Sequence, residues 1–326
     1  MKLTIATIII VCAVGAIYGQ TPTLRIQTDD PNLPSDLYYG NVKVKPLRVR
    51  PGTNPPQFIT IADNDFFVQQ QYIDFLNRMP DTSGFNFWLG QITSCGNNQG
   101  CIDVTRINDS GAFFRSIEFQ ETGYLVERLY KAAYGDASQT STLGGAHSIS
   151  VPVVRLSEFL PDVKQIGNNV IVNQGNWQTQ LAANKVLFCQ LFVQRSRFTT
   201  AYPNSTTPTA FVDALFQKAG VTPSAADRNQ AIGEFGGAAD ISDVASRGRA
   251  VRDVAENTTL FNSEQNRAFV LMQYYGYLRR DPNSGPDTDY TGYDFWLTKL
   301  NQFNGDFIGA EMVKAFINAT EYQARF

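Results

Sequence analysis

The sequence predicts an all-α fold, an array of short helices in about three repeat units preceded by an extended N-terminal tether. Three observations carry that prediction. A run of residues is written twice, apolar positions recur at helical spacing over most of the chain, and no convincing run of paired strands follows residue 65. The first copy runs Phe67–Asp81 (FVQQQYIDFLNRMPD) and then Thr82–Leu89 (TSGFNFWL). The second runs Phe269–Asn283 (FVLMQYYGYLRRDPN) and, after an insertion, Thr291–Leu297 (TGYDFWL).

Each element follows from local chemistry. Asp63 to Asp65 offer N-caps to a helix whose Val68, Tyr72, Phe75 and Leu76 share a face. Pro80 and Gly84 punctuate the turn after it. Phe85, Trp88, Leu89 and Ile92 restart the helical spacing, and Tyr293, Trp296, Leu297 and Leu300 repeat it, with Ser83 and Thr291 as matching N-cap candidates. At that spacing Trp88 and Trp296 read as core residues, and Trp177, among polar neighbours, reads as the exposed one. A further helix closes each unit at Ser116-Ile-Glu-Phe119 and again at Ala319-Thr-Glu-Tyr322. A degenerate copy without the Trp lies between, opening at Phe211–Gly220 and closing at Arg249–Ala255 with Phe261. Residues 135–150, rich in Ser, Thr and Gly, read as an exposed, mobile loop.

The domain boundaries follow from these shifts. Residues 1–19, with Lys2 before the apolar run Leu3–Ile17, read as a secretory signal peptide too short to span a bilayer. Residues 20–62 read as an extended linker with short strand segments. The first helical unit is expected over 63–183. A second helical region over 184–326 divides into the degenerate repeat, 184–265, and the C-terminal repeat, 266–326.

Composition excludes several classes. With 43% hydrophobic and 17% charged residues the chain can bury a core, and its net charge of -3 lacks the basic footprint of a nucleic-acid binder. No transmembrane segment is expected in the mature chain. Cys95 and Cys101 bracket a Gly/Asn turn and read as a disulfide in an oxidising compartment, whereas Cys189, in an apolar run, reads as a buried small hydrophobe. His147, the one histidine of the chain, falls in the 135–150 loop with nothing to position it for catalysis.

Two constellations could bear chemistry. Glu118, Glu121 and Glu127 are candidates for a carboxylate pair of the kind glycosidases use. Asp281, Asp287 and Asp289, in a Gly/Pro-rich insertion, are oxygen donors of the type calcium takes, and the same residues equally favour turns by bonding their own backbone. Counted as an EF-hand from Asp287, position twelve is Thr298 rather than Glu, so the loop is a partial ligand set. Nothing calls for an organic cofactor.

The ordered set Arg78, Pro80, Asp81, Gly84, Phe85, Trp88 and Ser116-Ile-Glu-Phe119, with Gly292 and Trp296 in the later copy, resembles the bacterial family called domain of unknown function 4214. The resemblance spans roughly residues 63 to 326 with interruptions. It implies an exported or surface-associated bacterial protein and implies no reaction. The expected function is therefore a non-catalytic exported module that binds or scaffolds polysaccharide or an envelope protein at the cell surface. A polysaccharide hydrolase working through an Asp/Glu pair is the alternative.

Overall fold

The computed structural model describes residues 24–27, 35–39, 42–50 and 57–326, so the export segment at 1–19 lies outside the described residues. The chain divides into two compact units, one ending at Ile59 and a helical one over Thr60–Arg325. In the first, the linker's strand segments pair in an antiparallel meander of β1 (Leu24–Gln27), β2 (Ser35–Tyr39), β3 (Val42–Val49) and β4 (Phe58–Ile59). Leu24 faces Tyr39, Ser35 faces Leu47, and the register slips between Leu37 and Tyr38.

The helical unit opens with α1 (Asn64–Leu76), α2 (Thr82–Thr93), α3 (Gln99–Arg115) and α4 (Ile117–Glu121). A central helix, α5 (Gly123–Tyr134), leads into a hairpin of β5 (Asp136–Ser141) and β6 (His147–Pro152). There follow α6 (Leu156–Ile166), α7 (Trp177–Phe192), α8 (Ser196–Ala201), α9 (Pro208–Ala219), α10 (Ala225–Gly233) and α11 (Val244–Ala255). The last copy comprises α12 (Thr258–Gln273) with a π-helical turn over Tyr274–Leu278, α13 (Thr291–Gln302), α14 (Met312–Ile317) and α15 (Thr320–Gln323). The helical array is thus the architecture of residues 60–325, as the periodicity predicts.

The core is aromatic. Residues Gly123 to Ala133 of α5 are all buried, and α5 packs against α6, α9, α11 and α12. Four helices share one pattern. Val68, Val126, Val212 and Val270 are buried, and four residues on each has a buried ring, at Tyr72, Tyr130, Phe216 and Tyr274. Each helix then ends on positive φ, at Asn77, Gly135, Gly220 and Arg279. At Asn77, Gly220 and Arg279 a left-handed turn satisfies the last carbonyls, whereas Gly135, with ψ -150°, leads straight into a strand. α5 therefore carries the opening-helix pattern of α1, α9 and α12, although its sequence lacks the Arg-x-Pro-Asp turn. In α3, a Cβ on Gly111 would lie 2.2 Å from the Phe307 ring, which packs edge-on against Phe269. Gly111→Ala is expected to destabilise by about 1–2 kcal/mol through overpacking. A lowered urea midpoint would register it, and an unchanged one would mean that Phe307 yields freely.

Residues 135–150 differ from the mobile loop expected. They form most of the β5–β6 hairpin, because the polar side chains are spent on docking. Thr140 O accepts from Tyr290 N (2.9 Å), Thr142 N donates to Thr291 Oγ1 (2.8 Å), and Ser141 Oγ donates to Asp294 Oδ2 (2.6 Å). His147 Nε2 lies 3.2 Å from the same Asp294 oxygen, so this histidine does have a fixed neighbour. The hairpin is thereby pinned to the N-terminal end of α13.

Candidate functional site

The repeated motif builds a cleft in each copy. In the first, Asp81 rather than Ser83 is the N-cap of α2, accepting from Gly84 N at 3.0 Å, from Ser83 Oγ at 2.7 Å and from Gln174 Nε2 at 3.1 Å. Burial opposes the charge on Asp81, but the Gly84 amide, the Ser83 hydroxyl and Arg78 hold its carboxyl below the usual range. Arg78 forks onto Glu118, with Nε to Oε1 at 2.6 Å and Nη2 to Oε2 at 2.7 Å, and its guanidinium lies 5.0 Å over the Tyr72 ring. Burial, reinforced by Asp81, pushes the Tyr72 hydroxyl up to about 12.

By sequence Gly84 reads as turn punctuation. It sits inside α2 instead, where a Cβ would lie 2.1 Å from the Tyr72 hydroxyl. The motif glycine is therefore the seat of a tyrosine. Pro80 precedes the cap in the short link between α1 and α2. Trp88 is half-buried. It leans on Phe113 at 5.3 Å and meets Phe87, 59% exposed, edge-on at 4.9 Å. Packing thus accounts for the ring contact with Phe113, while Trp88 also lines an open cleft of about 440 Å³ with Phe87, Arg78, Asp81, Glu118 and Gln174.

The last copy repeats this arrangement. Arg280 forks onto Glu321 (2.6 and 3.0 Å) and lies 5.5 Å over Tyr274. A Cβ on Gly292 would lie 2.5 Å from the Tyr274 hydroxyl, Phe295 meets Trp296 at 4.9 Å, and Trp296 leans on Phe316 at 5.7 Å. The α13 cap differs from expectation: Thr291 is the first helical residue, and its N–H is taken by Asp289 at 2.9 Å. The cleft here is about 230 Å³, and the insertion's Asp287 enters it to bind Arg280 at 2.8 Å.

The remaining sequence candidates have separate fates. Asp281 accepts from Leu156 N and Tyr275 Oη (both 3.0 Å), so Asp281, Asp287 and Asp289 each serve a different partner. Among the described residues no three His, Cys, Asp or Glu side chains gather as a metal would require. Glu121 binds Lys185, and Glu118 binds Arg78. Glu127 is buried with neither carboxylate oxygen hydrogen-bonded; burial, then the nearby Glu264 charge, drives its pKa well up. Cys95 and Cys101 form the disulfide, with Cα atoms 5.6 Å apart. Cys189 is buried, which raises its thiol to about 12. Trp177 is half-buried at the start of α7.

A third cleft, of about 330 Å³ and marked by no sequence motif, is built by the corresponding elements around α5. Tyr130 and Tyr134 come from the opening helix, Pro161 and Asp162 from α6, and Arg195 and Arg197 from the segment leading into and through α8. The signal available was the shared spacing of Val126 and Tyr130 with Val68 and Tyr72.

These features define a helical-repeat module with half-buried tryptophans beside Arg–Glu forks. The model of the family described as "Domain of unknown function (DUF4214)" matches residues 57–123, the first copy with its fork, glycine seat and tryptophan. No curated protein and no solved structure shows a significant match. Among the described residues, no helix is long and apolar enough to cross a membrane.

Proposed function

We propose that this protein is an exported, non-catalytic module that binds polysaccharide at the cell surface through the Trp88 cleft and its Trp296 counterpart. The observation that carries this reading is the recurrence of one open constellation, Phe–Trp beside an Arg–Glu fork, in both copies. An aromatic face offers apolar contact to a sugar ring. The planar carboxylate, guanidinium and amide groups at its edge offer paired hydrogen bonds to hydroxyls. The predicted signal peptide and the Cys95–Cys101 disulfide support export.

The hydrolase alternative needs a carboxyl with a raised pKa facing a cleft. Asp81 is held low instead. The raised carboxyls Asp109, Glu127 and Asp253 line none of the three repeat clefts. Calorimetric titration with neutral oligosaccharides tests the reading. Trp88→Ala is expected to weaken binding about tenfold, as a lost aromatic anchor does. Release of shortened chains, or binding that is indifferent to Trp88 and Trp296, would overturn it.

A further inference from the structure

The third cleft is not isolated. It shares Ser157 and Pro161 with a depression of about 520 Å³, and that depression shares Arg280 with the Trp296 cleft. Neighbouring hollows thus share wall residues, in a series that begins with the hollow of Tyr134 and closes with that of Trp296. Single ligand pockets run to about 300–1,000 Å³; a chain of linked hollows matches an extended ligand better than one compact molecule.

Charge decides the ligand's class. Arg195 is forked onto Asp162 (2.6 Å) and Arg280 onto Glu321 (2.6 Å), while Arg197 makes a single contact to Glu158 (3.1 Å) and Arg279 one to Asp74 (3.1 Å). Every arginine along the run already has its carboxylate, and Arg280 has two, Glu321 and Asp287, so no free guanidinium is offered and the charges that line the run nearly cancel. What remains are hydrogen-bonding edges: Arg197 covers one face of Tyr134 at 3.9 Å, and Lys299 lies 5.5 Å over Trp296, so the rings border the run while the paired guanidinium and carboxylate edges line it. Hydroxyls that donate and accept suit such edges, whereas a charged chain would have to displace existing pairs.

We propose that these three hollows form one continuous groove that binds a linear, neutral glycan over several consecutive sugar units. This rests on the reading of the protein as a polysaccharide binder. It adds that the unit opened by α5 contributes to the site, and that recognition is of chain length rather than of a terminal sugar.

Calorimetry with uncharged β-glucan oligomers of increasing length tests it, beside Ser157→Trp, which fills the middle hollow. Affinity is expected to rise with length and then level off once the groove is filled. Ser157→Trp should abolish that rise, about tenfold or more for the longest oligomers, while leaving short-oligomer binding at Trp88 and Trp296 in place. Circular dichroism should show the variant folded, and Val104→Trp, at an exposed position of α3 that lines none of these hollows, should keep the length dependence. Binding that depends on Trp88 but not on length overturns the groove and spares the proposed function. Absence of binding to any glycan at any length overturns both. Length-dependent binding of an uncharged peptide, lost in Ser157→Trp, with no glycan bound, overturns the glycan assignment.

Discussion

Asp109→Asn is expected to stabilise the protein at pH 8 and to leave it unchanged near pH 4. Asp109 lies in α3, 2% exposed, with Oδ2 buried and no hydrogen-bond partner. Burial alone raises its pKa to about 7. An acid whose pKa is higher folded than unfolded binds its proton more tightly in the native state. Its contribution is therefore intact below the unfolded value, near 4, and is lost as pH rises towards 7. Asn copies the protonated form and removes that loss. Full conversion of the shift would give about 4 kcal/mol; discounted for solvent screening, roughly 2 kcal/mol is expected at pH 8. Urea unfolding of both proteins at pH 4, 6 and 8 measures it. A difference that stays flat across that range would refute the assignment of the pH dependence to Asp109.

Much of the helical unit could be read from the sequence because its signals are local. The Trp-bearing helices, the disulfide across Gly96–Gly100 and the burial of Cys189 all depend on spacings of a few residues. What escaped depends on partners far along the chain. The hairpin strand Asp136–Ser141 is polar apart from Ala137 and shows no alternation of apolar residues, since what fixes it is Asp294 and Thr291, about 150 positions away. α5 went unrecognised as an opening helix because the residue after its positive-φ Gly135 enters a strand rather than an Arg-x-Pro-Asp turn. The glycine's role was hidden too, since a residue that seats a tyrosine hydroxyl looks in sequence like one that breaks a helix.

The cleft was the least legible part. Glu118 was visible as a carboxylate and Arg78 as a motif residue, yet their fork joins positions 40 apart in sequence. The acidic insertion, marked as a calcium candidate, spends Asp281, Asp287 and Asp289 on a backbone amide, an arginine and a helix start. The two segments where the copies diverge, the insertion and the hairpin, meet each other through Tyr290 and Thr140. They add contacts around the last copy, and the open, aromatic-lined space lies in the parts the copies share.

The two forks should therefore respond differently to the same substitution. Arg78→Ala strands the Glu118 side chain, which is 7% exposed, as a buried charge without its partner. Removing one member of a buried pair costs about 3–5 kcal/mol, because the remaining charge loses its compensation while staying out of water. Arg280→Ala strands Glu321, whose side chain is 35% exposed and can rehydrate, so about 1–2 kcal/mol is expected, part of it from the lost hydrogen bond to Ser284 O at 2.9 Å. Urea midpoints of the two variants, each compared with Arg78→Ala/Glu118→Gln and Arg280→Ala/Glu321→Gln, separate the terms. Glu118→Gln should recover a large share of the Arg78→Ala loss, since a neutral amide is far cheaper to bury unpaired than a carboxylate. Glu321→Gln should recover little. Equal losses in the two single variants would mean that burial does not set the strength of the fork, and that the first copy's cleft is no more rigidly held than the last.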